Sequence, residues 1–400
     1  MYYVAETESL IADGVITDAQ ADEIKSRARG AMVALCVNTL LIVGILAASL
    51  GLVFYLGSAL SVAVCGGLFL VGGLLILRHA APLYRMFGNA GAMIGAGMLI
   101  AGTGLELVDK YPDIAGWSMT GVGAAIAAFC IWRFHTALPH LRFAYGAVLL
   151  MAAALHVCGV YFVVGHTGVS GWPLPLVHFY VFAAIVACGV FLDIRLVTAL
   201  AIVPFAQMLD TGTYYFTAAY VFYSPESTFS ILQMSALIGV CLWAASRWTG
   251  PAARQAGILM IMAFIIANLC FLVGSIWGDM PGYSWFAPRS ADFDGDYTAY
   301  SEARDAYRAA AFEISEHVYA VIWAVLLAAL AIWSAMTNRR GLFNTAMTFG
   351  GIHAYTQMFE SFYDQPLAYV IGGLAAIPLA FGLWRLNNTW FKQMDLAGAR

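Results

Sequence analysis

Charge is what this sequence has least of. Only 10% of its 400 residues are Asp, Glu, Lys or Arg, whereas a soluble domain carries roughly 25% to keep its surface wetted. That scarcity excludes a water-soluble globule of this size. The few basic residues are also scattered. Nineteen Lys and Arg against 23 Asp and Glu leave a net charge of −4, with no basic stripe to follow a phosphate backbone, which excludes a nucleic-acid partner. The first 24 residues lack Lys and Arg altogether and carry Glu6, Glu8, Asp13, Asp18, Asp22 and Glu23. A secretory signal peptide starts basic and turns apolar, so this segment does not read as one. Seven cysteines (Cys36, Cys65, Cys130, Cys158, Cys188, Cys241 and Cys270) all fall inside apolar runs, and no two have metal-site spacing. They read as small polarisable packing residues. Hydrolase, zincin and P-loop motifs are missing, so nothing in the sequence assigns a catalytic residue.

What is abundant is apolar surface: 62% of the residues are hydrophobic, and the mean hydropathy is +0.79. The partner of such a chain is a lipid bilayer. A spanning helix needs about 20 mostly apolar residues. Twelve runs qualify: 31–56, 58–77, 87–108, 114–134, 142–165, 173–192, 195–222, 228–246, 254–277, 312–335, 342–363 and 367–386. The expected fold is all-α, a polytopic bundle of about 12 transmembrane helices over residues 30–390. With the N-terminus cytoplasmic, fifteen Lys/Arg fall inside and four (Lys110, Arg289, Arg304 and Arg308) fall outside. That bias is the positive-inside signature, and it places both termini in the cytoplasm.

Two segments stand apart from the spans. Residues 1–29 read as a short cytoplasmic helical hairpin. Gly14 suits a left-handed helix end, and Thr17-Asp18-Ala19-Gln20 has capping-box form with Ile16 as its staple. The hairpin either orders the first span or docks a cytoplasmic partner. Residues 278–311 form an external loop followed by a helix. Asp292, Asp294 and Asp296 start like a calcium loop, but Tyr297 and Ala303 stand where an EF-hand needs Gly and Glu.

Ionisable residues inside a membrane are costly and tend to be functional. Here they gather in the predicted outer half: His156 in the fifth span, His178 in the sixth, Asp210 in the seventh, Glu316 and His317 at the entry of the tenth, and His353, Gln357 and Glu360 on one face of the eleventh. Turned towards each other, they would line an external cavity. Glu313, Glu316 and His317 share one helical face at the entry of the tenth span, and carboxylate with imidazole suits a divalent metal. A hydrated vestibule or a proton relay uses the same groups. Pro204 followed by Asp210-Thr211-Gly212-Thr213 predicts a break in the seventh span, and transporters place substrate sites at such breaks.

The stretch from Leu10 to Thr17 with Ala21-Asp22-Glu23-Ile24, together with Phe349-Gly350, Tyr355-Thr356-Gln357-Met358-Phe359-Glu360, Pro366, Gly372-Gly373-Leu374 and Leu383-Trp384-Arg385, resembles the predicted bacterial multi-pass membrane proteins of domain-of-unknown-function family 2157. Phe54-Tyr55-Leu56-Gly57 stands where members often carry an Asn-Trp pair. The resemblance implies a bacterial inner-membrane location and carries over no catalytic residue. Three functions follow as expectations. The first is a transporter or binding protein for a small solute or ion, with an acidic/His-lined cavity open to the periplasm. The second is a non-transporting sensor or scaffold, and the third is an intramembrane enzyme acting on an envelope substrate.

Overall fold

The computed structural model describes residues 7–139, 141–209, 214–216, 221–224, 226–337, 339–362 and 365–386. The chain is an all-α, multi-pass integral membrane protein. Nine helices among the described residues are long and apolar enough to cross a bilayer. The chain divides into two compact units, residues 1–170 and 171–400.

The first unit opens with α1 (Thr7–Ala12) and α2 (Asp18–Leu56). Gly14 between them has φ +70°. Thr17 and Gln20 exchange the two capping-box hydrogen bonds, at 2.9 and 3.3 Å, which satisfies two of the orphan N–H groups of the first turn. Then come α3 (Ala59–His79), α4 (Arg85–Lys110), α5 (Pro112–Thr136) and α6 (Arg142–Thr167). Helix α4 packs against α2, α3, α5 and α6. It can do so because its buried positions are almost all glycine or alanine, including Gly88, Gly91, Gly95, Gly102 and Gly104. Lipid gives helices no hydrophobic reason to associate, so close backbone approach over small residues supplies the attraction.

The second unit contains α7 (Pro173–Leu192), α8 (Arg195–Leu200), α9 (Ile202–Gln207), the antiparallel strands β1 (Tyr214–Phe216) and β2 (Val221–Tyr223), and then α10 (Ser227–Arg247) and α11 (Pro251–Trp277). A connecting segment follows with a short helix α12 (Tyr283–Phe286), a 3-10 turn at Ser290–Phe293 and the amphipathic α13 (Tyr297–Ala310). Helices α14 (Glu316–Met336), α15 (Arg340–Phe362) and α16 (Pro366–Leu386) complete it. Its main core joins α8–α9, α10 and α11 around Ala201, Phe205, Met234, Leu237, Leu259 and Ala263.

The predicted seventh span, 195–222, is not one helix. It breaks at Ala201 and leaves helical form after Gln207, and β1 and β2 then pair antiparallel. Pro204 accounts for the first break: it has no N–H for the carbonyl of Leu200, and its ring crowds that carbonyl. The remaining helical piece nonetheless runs alongside α10 and α11. Asp193 bonds Arg254 and Gln255 at the start of α11, at 2.5 and 2.8 Å. Fourteen residues after Arg195 begins the piece, the Leu209 carbonyl accepts from the Trp285 indole, 2.9 Å away in the segment beyond the end of α11.

Two aspartates of this loop, Asp292 and Asp296, act as caps. Asp296 accepts from the N–H groups of Thr298 and Ala299, both at 3.0 Å, and Asp292 accepts from that of Arg289 at 3.2 Å.

Candidate functional site

Helices α10 and α11 are antiparallel neighbours, so the residue before α10 and those after α11 meet at one end of the unit. Both are acidic. Glu226, the N-cap of α10, is fully buried. Its two carboxylate oxygens accept from the backbone N–H groups of Gly282 and Ser284, at 2.9 and 2.6 Å. Burial raises its pKa above the ordinary glutamate value, the two N–H bonds oppose that shift, and neighbouring Asp279 adds to it. Glu226 thus ties the loop after α11 to the start of α10.

Asp279, two residues beyond α11, is 6% exposed. Its Oδ2 accepts from the Thr228 N–H at 2.8 Å and from the Thr228 hydroxyl. The Tyr319 hydroxyl, from α14, donates to the same oxygen at 3.1 Å and lies 2.5 Å from Thr228 Oγ1. The other oxygen, Oδ1, is buried and has no hydrogen-bond partner. Buried polar atoms are nearly always partnered, and Oδ1 is an exception. The backbone of Asp279 bridges to Ile314, so the segment between α11 and α14 leaves and re-enters the bundle at one point.

Beside this bridge lies a cavity of about 460 Å3 lined by Ser224, Val273, Trp277, Gly278, Asp279, Met280, Tyr283, Arg308 and Glu313. That volume falls in the range of about 300–1,000 Å3 typical of small-ligand sites. The lining combines two carboxylates, one guanidinium and two aromatic rings. Arg308, on α13, stands over the Tyr283 ring at 5.7 Å.

Of the residues singled out from sequence, Glu313 lines this cavity. It does not share a helical face with Glu316 and His317, because α14 starts only at Glu316. The bridge to Asp279 holds the preceding Ile314 in extended form. Glu316 and His317 lie 3.7 Å apart with the histidine well exposed, and among the described residues no group of three or more His, Cys, Asp or Glu is gathered for a metal. His353 packs edge-on against Trp323, ring centroids 4.9 Å apart. Trp323 in turn donates to Asn268 at 2.9 Å. Gln357 donates to the Ser275 carbonyl at 3.4 Å, and Glu360 is exposed. These three residues of α15 therefore lie along α11 and α14, with only the first two turned inward. His178 is half-buried on α7. His156 belongs to the first unit, where its Nδ1–H donates to the Thr120 carbonyl at 2.8 Å and joins α6 to α5. Asp210 lies outside the described residues.

Sequence reasoning missed Glu226 and Asp279. The available signal was their position: each is an acidic residue within two places of an apolar run, on the two strands of a predicted helical hairpin. No protein family, curated protein or solved structure matches the chain.

Proposed function

We propose that the protein binds, and carries across the membrane, a small polar solute, and that the cavity at the α10–α11–α14 end is its outer binding site. The observation that supports this reading is Asp279: a buried carboxylate fixed by three donors through one oxygen, with the other oxygen unspent, in the wall of a ligand-sized cavity. Polar groups within membrane proteins mark solute and ion pathways. The broken α8–α9 helix beside α10 and α11 is the kind of element that transporters use near such sites. A scaffold accounts for the hydrogen bonds of Asp279 but not for the cavity beside them.

The Lys/Arg bias supports a location in the bacterial inner membrane with cytoplasmic termini and the cavity facing the periplasm. The resemblance to family 2157 implies the same location. Uptake by proteoliposomes and ligand-dependent thermal stability test the proposal together. A ligand that binds only the folded state stabilises it by about 2.7 kcal/mol at one hundred times its Kd. A solute that stabilises the wild type and is taken up, with both effects lost in Asp279→Asn, is the expected result. Solute stabilisation that survives Asp279→Asn unchanged places the site elsewhere.

A further inference from the structure

The chemistry of the lining narrows the solute class, on the reading that the cavity is a solute site. Two carboxylates, Asp279 and Glu313, and one guanidinium, Arg308, share its wall. Opposite charges around one cavity normally pair. Here they do not: among the described residues Arg308 makes no ion pair with either acid, and its guanidinium rests over the Tyr283 ring instead. Asp279 is already fixed by Thr228 and Tyr319 through Oδ2, so it cannot swing out to meet Arg308, and its Oδ1 stays without a partner.

A solute with a single positive charge would satisfy Asp279 but would sit near an unpaired guanidinium. A solute with a single negative charge would satisfy Arg308 but would face two carboxylates. A solute carrying both charges on a short frame satisfies both walls at once. An ammonium group brings three donors and suits a lone carboxylate oxygen. A carboxylate suits the planar fork of an arginine. Trp277 and Tyr283 add aromatic surface to the wall for the rest of the molecule. We infer that the cavity binds a small zwitterion of the amino-acid class, its ammonium at Asp279 Oδ1 and its carboxylate at Arg308, with Glu313 completing the negative side of the mouth.

The test uses the full-length protein in detergent or nanodiscs. Thermal stability and calorimetric affinity are measured for the free L-amino acids, and for each hit its decarboxylated amine and its deaminated acid. The expected result is stabilisation by at least one amino acid, with the matched amine and acid binding at least tenfold more weakly. Arg308 is exposed, so Arg308→Gln should fold. It should bring the amino acid's affinity down to that of the amine. An amine that binds as tightly as its amino acid overturns the inference, and so does an amino-acid affinity unchanged in Arg308→Gln. Stabilisation by neutral sugars or polyols alone, lost in Asp279→Asn, overturns the zwitterion and retains the solute site. No stabilisation by any of these classes overturns both.

Discussion

Asp279 and Ile314 exchange two backbone hydrogen bonds, N–H to carbonyl in each direction, at 2.9 and 2.8 Å. This one rung closes the segment between α11 and α14 and brings the Asp279 side chain under Tyr319. The residue before it, Gly278, makes the rung possible. Its φ is +67° with ψ −165°, a region essentially reserved for glycine. A Cβ there would also stand 2.8 Å from the Ile314 carbonyl oxygen. Gly278→Ala is therefore expected to cost about 1–3 kcal/mol and to weaken solute binding, because Asp279 moves with the rung. Gly257, within α11, has open space around its Cβ position. Gly257→Ala is the control and should leave the melting temperature equal or higher. Equal melting temperatures for both variants would mean that the rung does not hold the segment.

Two carboxylates at opposite ends of α11 give opposite pH dependences. Arg254, and after it Gln255, hydrogen-bond Asp193 and hold its pKa below the ordinary aspartate value. Its contribution is present above the unfolded aspartate pKa and is lost as pH falls through the lower folded value. Burial pushes Glu226 the other way. Its contribution is fully present below the unfolded glutamate pKa, near about 4.3, and is lost as pH rises through the higher folded value. Melting temperature against pH should then lose its acid-side fall in Asp193→Asn and its decline above the glutamate range in Glu226→Gln. Asn tolerates the left-handed backbone of Asp193, whose φ is +54°. A Glu226→Gln curve parallel to wild type above pH 5 would show that Glu226 is ionised throughout.

Glu226→Gln also carries a direct structural cost. Each glutamate oxygen accepts one backbone N–H, from Gly282 or from Ser284. Glutamine keeps one acceptor and turns an NH2 towards the other N–H. One buried donor is left unsatisfied, at about 1–3 kcal/mol. The segment Gly282–Ser284 should become more open, and amide hydrogen exchange there should accelerate while exchange in the middle of α11 stays slow. Unchanged exchange at Gly282 and Ser284 would remove the clasp.

The helices were legible because lipid imposes a simple rule: twenty apolar residues, charges at the ends. Thr17 and Gln20 were legible for the same reason, since a cap is a local pattern. The site was legible only as a tendency. The residues that meet at the cavity, Glu226, Thr228, Asp279 and Tyr319, come from the start of α10, the end of α11 and from α14. Nothing in the sequence sets their register. Glu313 illustrates the failure: helical spacing pairs it with Glu316 and His317, but the Asp279–Ile314 rung pulls its neighbour into extended form and turns Glu313 over to the cavity. His156 illustrates the converse. It is polar and deep, as a site residue would be, and its ring is engaged with the Thr120 carbonyl between two packed helices.

The closest packing in the first unit gives a sharp contrast between two glycines of α4. Gly66 and Gly73 on α3 lie seven residues apart, as do Gly88, Gly95 and Gly102 on α4, so each set forms one stripe along its helix. The stripes face each other at backbone distance. A Cβ at Gly95 would meet the Leu70 backbone N–H, with the Gly66 carbonyl oxygen at 2.6 Å and the Phe69 carbonyl carbon at 2.7 Å. These are main-chain atoms of α3 and cannot rotate away, so the helices must separate. Two residues on, a Cβ at Gly97 would meet only the end of the Met151 side chain, 3.8 Å away. Gly95→Ala should therefore cost about 1–3 kcal/mol as overpacking, despite the gain in helix propensity, while Gly97→Ala should be neutral or slightly stabilising. Thermal unfolding of the two variants in the same detergent decides it. If Gly95→Ala melts at or above the temperature of Gly97→Ala, α3 and α4 are not held by this stripe, because a pair packed main chain to main chain has no room for the added methyl group.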